Sequence, residues 1–325
     1  MTGPMGWLGT YDREQRALDR AQADSPVAYR QRVGKALPEA MAKRWAEHMA
    51  SKGYGEDSCD LTMIDELVLG RRYNWEDQFI GSCVVSNTFR QWVRRAMYEI
   101  ALLGDPEEYL GRDEFGTGSI SFYAPFSYGC MRRRGGLRGG DGGFCAPMAE
   151  SLMKDGVLPC STPRLAEILQ REGSANEADY PEPRSNRTYR KFGDWKFLDE
   201  LMPYTDYRLL ESVRLRSVED HLDNSRQGKP AFQCSMIAIR KAGTHADGFT
   251  IHARNPRDSW AHNMGWAGHF TASDGQRFYR LSNESWGDNV IYNIPENELD
   301  DWYRRRNVTT MTIGEIDLPN SAPAI

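Results

Sequence analysis

Cys83 stands in the stretch EDQFIGSCVVSNTFRQW (Glu76–Trp92), five residues after Gln78 and at the head of an apolar run with helical spacing. A thiol is a weak nucleophile until it loses its proton. The start of a helix favours the thiolate, because its unpaired amides and its dipole carry partial positive charge, and a neighbouring imidazolium favours it further. Cys83 follows Gly81-Ser82 where the helix is expected to begin, so it is placed for that activation. Gln78 could present a side-chain amide to an oxyanion beside the Cys83 backbone N–H. The other reading of the stretch is structural: cysteine is commonly buried, and a small residue after Gly-Ser is an ordinary opening for a core helix.

A thiolate needs a base, and His48, His221, His245, His252, His262 and His269 compete for the part. His48 and His221 fall on polar helical stretches and are expected at the surface. His245 belongs to a loop before DGFT. The segment HNMGWAGHFTASDGQRFYRLSN reads as two strands joined by a turn at Ser273–Gly275. A base on one strand needs an orienting amide or carboxylate on the other, since imidazole must present the correct tautomer. His262 and Asn283 lie almost symmetrically about that turn, whereas His269 and Asn283 do not. His262 is therefore the expected base and Asn283 its orienter, with His269 structural or at the rim. Tyr279, Leu281 and Asn283 then share one strand face, with Arg280 on the other. Glu284 is the alternative orienter.

The elements that must carry these residues run helices first, strands last. DREQRALDRAQA and PEAMAKRWAEHMASKG read as amphipathic helices, the second ending at Gly53, and make residues 1–57 an N-terminal helical extension. CVVSNTFRQWVRRAMYEIALLG places Val84, Val85, Phe89, Trp92, Val93, Met97 and Ile100 near helical spacing, with Gly104 as a stop. Residues 105–145 are Gly-rich and read as loop, and 160–210 as charged, aromatic and irregular. CAPMAESLMKDGVLP reads as a helix with Gly156 near its end, SVEDHLDNSRQG as another, and Pro230 opens the strand AFQCSMIAIRKA. This order implies an α+β fold with segregated lobes: a helical lobe about 58–215 and a β lobe about 216–325. A site between them is the natural place for a substrate.

Composition removes several function classes. The 40% hydrophobic and 27% charged content is that of an ordinary globular chain, and a net charge of −5 gives no reason to expect nucleic acid or an anionic membrane as partner. Arg132–Arg134 and Arg304–Arg306 are expected to be solvated. No apolar run reaches the roughly 18–20 residues of a membrane span, and the N-terminus lacks the basic-then-apolar order of a secretory signal. The six cysteines contain no CxxC pair, so neither a metal site nor a cofactor is expected, and reduced thiols are. The expected location is the cytoplasm or a virion.

Taken together, the motifs resemble the papain-like cysteine peptidases. That family carries a glutamine before a G-S-C motif at a helix start, a Gly-Gly stretch before a helix, a G-P-V-x-V-A-I strand, a late histidine and N-S-W-G. Here the counterparts are Gln78, Gly81-Ser82-Cys83, Gly142-Gly143 in GGDGGFCAPMAESL, GKPAFQCSMIAI, His262 and Asn283–Gly287 (NESWG), in the family's order from about Asp60 to about Tyr303. The resemblance implies a two-lobe fold and peptide-bond hydrolysis through a Cys83–His262–Asn283 site. Gln78 would serve the oxyanion, Gly142 and Gly143 would let the substrate backbone approach the cleft wall, and Trp286 would shield the His262–Asn283 hydrogen bond. There are departures: Ile80 replaces a cysteine, Val84 an aromatic, Gln78 sits one residue closer than usual, and NESWG holds one extra residue. The 179 residues from Cys83 to His262 exceed the roughly 130–150 of papain-type enzymes and imply insertions in 105–140 and 160–210. The expected partner is a peptide or protein substrate. A second reading makes the domain a structural component of an assembly such as a phage virion, docked through the N-terminal helices and the insertions, with reduced or no proteolysis.

Overall fold

A computed structural model describes residues 47–55, 57–64, 81–103, 122–160, 162–173, 186–283, 285, 290–306, 308–314 and 316. Most of the expected N-terminal extension, together with Gln78, Glu284 and Trp286, lies outside the described residues.

The helix at Cys83 is real and central. Helix α1 spans Cys83–Leu103. Val84, Val85, Phe89, Trp92, Val93 and Met97 are buried as the spacing predicts, but Arg90, Arg94 and Arg95 are buried too. The helix is thus enclosed on every side from Cys83 to Met97 rather than amphipathic. Its polar residues are held by specific partners: Arg94 Nη1 donates to Ser282 Oγ at 2.9 Å, and Arg95 Nη1 to the Gly228 carbonyl at 3.1 Å. A buried cation without such partners would cost several kcal/mol, on the order of the effective desolvation penalty per ion.

The segment expected to be loop contains helix α2, Ala124–Arg134. Pro125 sits in its first turn, where the missing N–H costs nothing. Gly129 lies mid-helix, where a Cβ would collide with the Phe192 carbonyl. Further helices follow: α3 (Cys145–Lys154), α4 (Pro163–Arg171), α5 (Asn186–Gly193) and α6 (Leu198–Leu201). The described residues within 160–210 are therefore substantially helical, not irregular. Tyr123, Phe126, Cys130, Leu165, Ile168, Leu169, Phe192, Phe197, Leu198 and Leu201 form their own apolar cluster, which is what makes these short helices stable. Arg132, expected in solvent, is buried and donates from Nη1 to the Gly142 carbonyl at 2.6 Å.

The β part holds nine described strands: β1 (Cys59–Asp60), β2 (Arg214–Leu215), β3 (Ala231–Ser235), β4 (Ile239–Thr244), β5 (Thr250–Arg254), β6 (His262–Thr271), β7 (Arg277–Asn283), β8 (Val290–Pro295) and β9 (Val308–Thr312). Their order in the sheet is β2-β9-β3-β6-β7-β8-β5-β4, with β1 added beside β6. All pairings are antiparallel except β5 with β8. The expected single strand after Pro230 is two, β3 and β4.

The sheet has a core on each face. Phe232 and Cys234 of β3 and Met311 of β9 pack with α1, α2 and α3. Ala231, Met264, Trp266, Tyr279 and Leu281 point the other way, onto α7 (Val218–Arg226) and α8 (Glu296–Arg304). His221 of α7, expected at the surface, is buried among Trp266, Tyr279 and Tyr303. Its neighbours Glu219, Asp220 and Asp223 made the stretch look polar, and one polar ring among apolar partners gives no separate periodic signal.

The expectation of six reduced thiols fails at one pair. Cys145, at the start of α3, and Cys234, in β3, form a disulfide with a Cα–Cα distance of 6.1 Å, inside the range such a bond requires. They are 89 residues apart in sequence and meet only because α3 packs on β3.

Candidate active site

The site is built where the first turn of α1 meets the ends of β6 and β7. Cys83 is the first residue of α1 and is fully buried. Its N–H belongs to the first turn, where no preceding carbonyl is available to it within the helix. The Ser82 carbonyl starts the helix by accepting from Val85 N at 2.8 Å and Ser86 N at 3.1 Å. Gly81 N donates to Asp141 Oδ2 at 2.6 Å, which fixes the approach to Cys83.

His262 opens β6 and Asn283 closes β7; both are fully buried. His262 Nε2 and Asn283 Oδ1 are 3.0 Å apart. An amide oxygen can only accept, so Nε2 carries the proton and Nδ1 is left as the basic position. The two residues are not directly opposite, as the symmetry argument had them. The register pairs Trp266 with Leu281 and Gly265 with Ser282, so Asn283 would continue opposite Met264, two residues from His262. A bulge between Trp266 and Gly268 sets that offset. The pair meets on the diagonal, which still lies on one face because the offset is even.

Burial drives the His262 imidazole down to about 4, and the hydrogen bond to Asn283 only partly offsets it. Charging a ring without solvent is costly, so an imidazolium here needs an anion beside it. The Asn283 Oδ1 atom also accepts from Ser285 N at 3.3 Å. His269, further along β6, is fully buried, with Nδ1 2.8 Å from Ser225 Oγ.

Three features escaped the sequence reading. Asn87, one turn into α1, brings its Nδ2 within 3.2 Å of the Cys83 carbonyl, 2.9 Å of the Asn263 carbonyl and 2.5 Å of Ser285 Oγ. Asn263, the neighbour of His262, points its Nδ2 at the disulfide, 3.1 Å from Cys145 Sγ and 3.4 Å from Cys234 Sγ. Asp141 joins Gly81 to Tyr128, whose hydroxyl donates to Asp141 Oδ1 at 2.6 Å. Asn, Asp and Cys at these positions carry no periodic or motif signal of their own; only their partners give them meaning.

Gly142 and Gly143 sit between α2 and α3. Gly142 adopts a φ of +91°, open to glycine, and its N–H donates to Asp141 Oδ1 at 2.8 Å. A Cβ at Gly143 would collide with the Met131 side chain. Among the described residues no cluster of His, Cys, Asp or Glu could hold a metal ion, and no helix is long and apolar enough to cross a membrane.

No family model and no curated protein sequence matches the chain. Solved structures do. Xylellain, a cysteine protease from Xylella fastidiosa, is similar with a TM-score of 0.46 and 15% identity, covering 86% of this chain and 89% of its own. The bromelain protease from Ananas comosus gives a TM-score of 0.43 and 10% identity, covering 79% and 98%. Procathepsin B S9 from Trypanosoma congolense gives 0.42 and 13%, covering 93% and 97%. All three are papain-like cysteine proteases, the family that the motif order resembles.

Proposed function

We propose that the chain is a cysteine peptidase that hydrolyses peptide bonds through Cys83, His262 and Asn283. The observation that carries this reading is the buried 3.0 Å contact from His262 Nε2 to Asn283 Oδ1, which leaves Nδ1 as the base. Cys83 Sγ gives its proton to His262 Nδ1 and attacks the substrate carbonyl carbon, forming a C–S bond and an oxyanion. The Cys83 N–H and the Gln78 side chain stabilise that oxyanion. His262 then protonates the leaving amine as the C–N bond breaks, and a thioester remains. Water, deprotonated by His262, attacks the thioester and releases the acid and the thiol. Asn283 keeps the ring in the required tautomer, Trp286 shields their hydrogen bond, and Gly142 and Gly143 form the cleft wall.

The test is labelling with an epoxide or vinyl-sulfone thiol probe, followed by peptide mapping. Cys83 should react faster than Cys160 or Cys59, the latter a thiol pushed up to about 12 by burial and by Asp60. Cys83→Ala should abolish the fast phase. Equal rates at Cys83 and Cys160 in the wild type would remove the peptidase reading.

A further inference from the structure

Activation of Cys83 requires three side chains from three elements to hold one geometry, and that geometry needs a brace. The His262–Asn283 hydrogen bond joins β6 to β7 but does not itself hold the Cys83 end of α1, and the Arg94–Ser282 contact ties α1 to β7 only further along the helix. A misplacement of about 1 Å in such a site costs on the order of 100-fold in rate. Backbone pairing cannot supply the brace, because a helix has no ladder to share with a strand.

We infer that Asn87 is a positioning residue of the site, locking the Cys83 turn of α1 to the two chain segments that carry His262 and Asn283. This rests on the cysteine-peptidase reading above. The side chain is fully buried and reaches three elements with one nitrogen. Toward its own helix it lies 3.2 Å from the Cys83 carbonyl. Toward β6 it lies 2.9 Å from the carbonyl of Asn263, the residue after His262. Beyond β7 it lies 2.5 Å from Ser285 Oγ. Ser285 in turn donates its N–H to Asn283 Oδ1, the same oxygen that holds His262. The path Asn87–Ser285–Asn283–His262 therefore aims the acceptor oxygen at the ring, while the Asn263 contact fixes the backbone beneath that ring. An amide NH2 has two hydrogens for these three acceptors, so they share them. An apolar residue at 87 would leave the Asn263 carbonyl and the Ser285 hydroxyl without this donor in a water-free interior.

The test compares Asn87→Asp, which keeps the shape and replaces the NH2 donor, with Val93→Ala, which opens a cavity further along the same helix. The first readout is the rate of Cys83 alkylation by the vinyl-sulfone probe from pH 4 to 9, with thermal midpoints measured alongside. Asn87→Asp should slow alkylation about 10- to 100-fold and change the shape of the pH profile. Val93→Ala should lower the melting temperature and leave rate and profile as in the wild type. The inference is overturned if Asn87→Asp keeps the wild-type profile, or if Val93→Ala reproduces its loss. The second readout is the His262 Nε2 proton in histidine 15N spectra, which needs no reactive thiol. It should shift and exchange faster in Asn87→Asp and stay in place in Val93→Ala. If wild-type Cys83 reacts no faster than Cys160, the peptidase reading falls, and the His262 signal still decides Asn87: an unmoved signal in Asn87→Asp overturns the positioning role.

Discussion

At the scale of single residues, the decisive tension is in the His262 ring. Burial, only partly offset by the Asn283 hydrogen bond, pushes it down to about 4, while the proposed chemistry needs it protonated opposite a thiolate. The two fit together if imidazolium and thiolate appear as a pair, each supplying the charge that the other lacks solvent to stabilise. In Cys83→Ala the anion is gone, so His262 should remain neutral until the pH falls to about 4. In the wild type the imidazolium should persist well above that. Titration followed by histidine 15N shifts distinguishes the cases, and identical curves in the two proteins would mean that the thiolate does not reach the ring. The sign of the stability effect follows. The folded-state value lies below the ordinary 6.5, so in Cys83→Ala the unfolded chain binds the proton first, and stability falls as the pH drops from 6.5 through about 4.

At the scale of elements, α2 shows where sequence periodicity misleads. Its glycine and arginine content reads as loop, yet Phe126, Tyr128, Cys130 and Met131 are buried, and the helix forms around them. Gly129 is the informative position. Helix propensity by itself says that Gly→Ala should stabilise by roughly 1 kcal/mol. The Phe192 carbonyl of α5 occupies the space that a Cβ would need, so the packing clash should win. Gly129→Ala is expected to destabilise by about 1–3 kcal/mol, the usual cost of overpacking a filled site, read as a lower urea midpoint. An unchanged or raised midpoint would show that α2 and α5 do not pack this closely.

At the scale of the whole molecule, the Cys145–Cys234 bond joins the helical part to the sheet directly beneath the candidate site. Protein prepared without reductant and then denatured should titrate four thiols of its six cysteines, and all six after reduction. Six before reduction would refute the bond. Closing an 89-residue separation should stabilise the fold by about 4–5 kcal/mol in the chain-entropy picture, so Cys145→Ser should show a clearly lower denaturation midpoint under oxidising conditions only.

The sequence by itself determined the local and repetitive features: helix α1 from the spacing of Val84, Phe89, Trp92 and Met97, the Ser273–Gly275 turn, the α+β order, and Cys83, His262 and Asn283 as the residues to watch. These are set by short-range periodicity and by turn chemistry, which each segment carries within itself. Only the tertiary structure decided the rest. It set His262 diagonal to Asn283 through a bulge, put Asn87 among three elements, buried His221 and Arg132, and brought Cys145 to Cys234. Each of these depends on which distant segment fills the neighbouring space, and a residue's own type and spacing do not encode its partner.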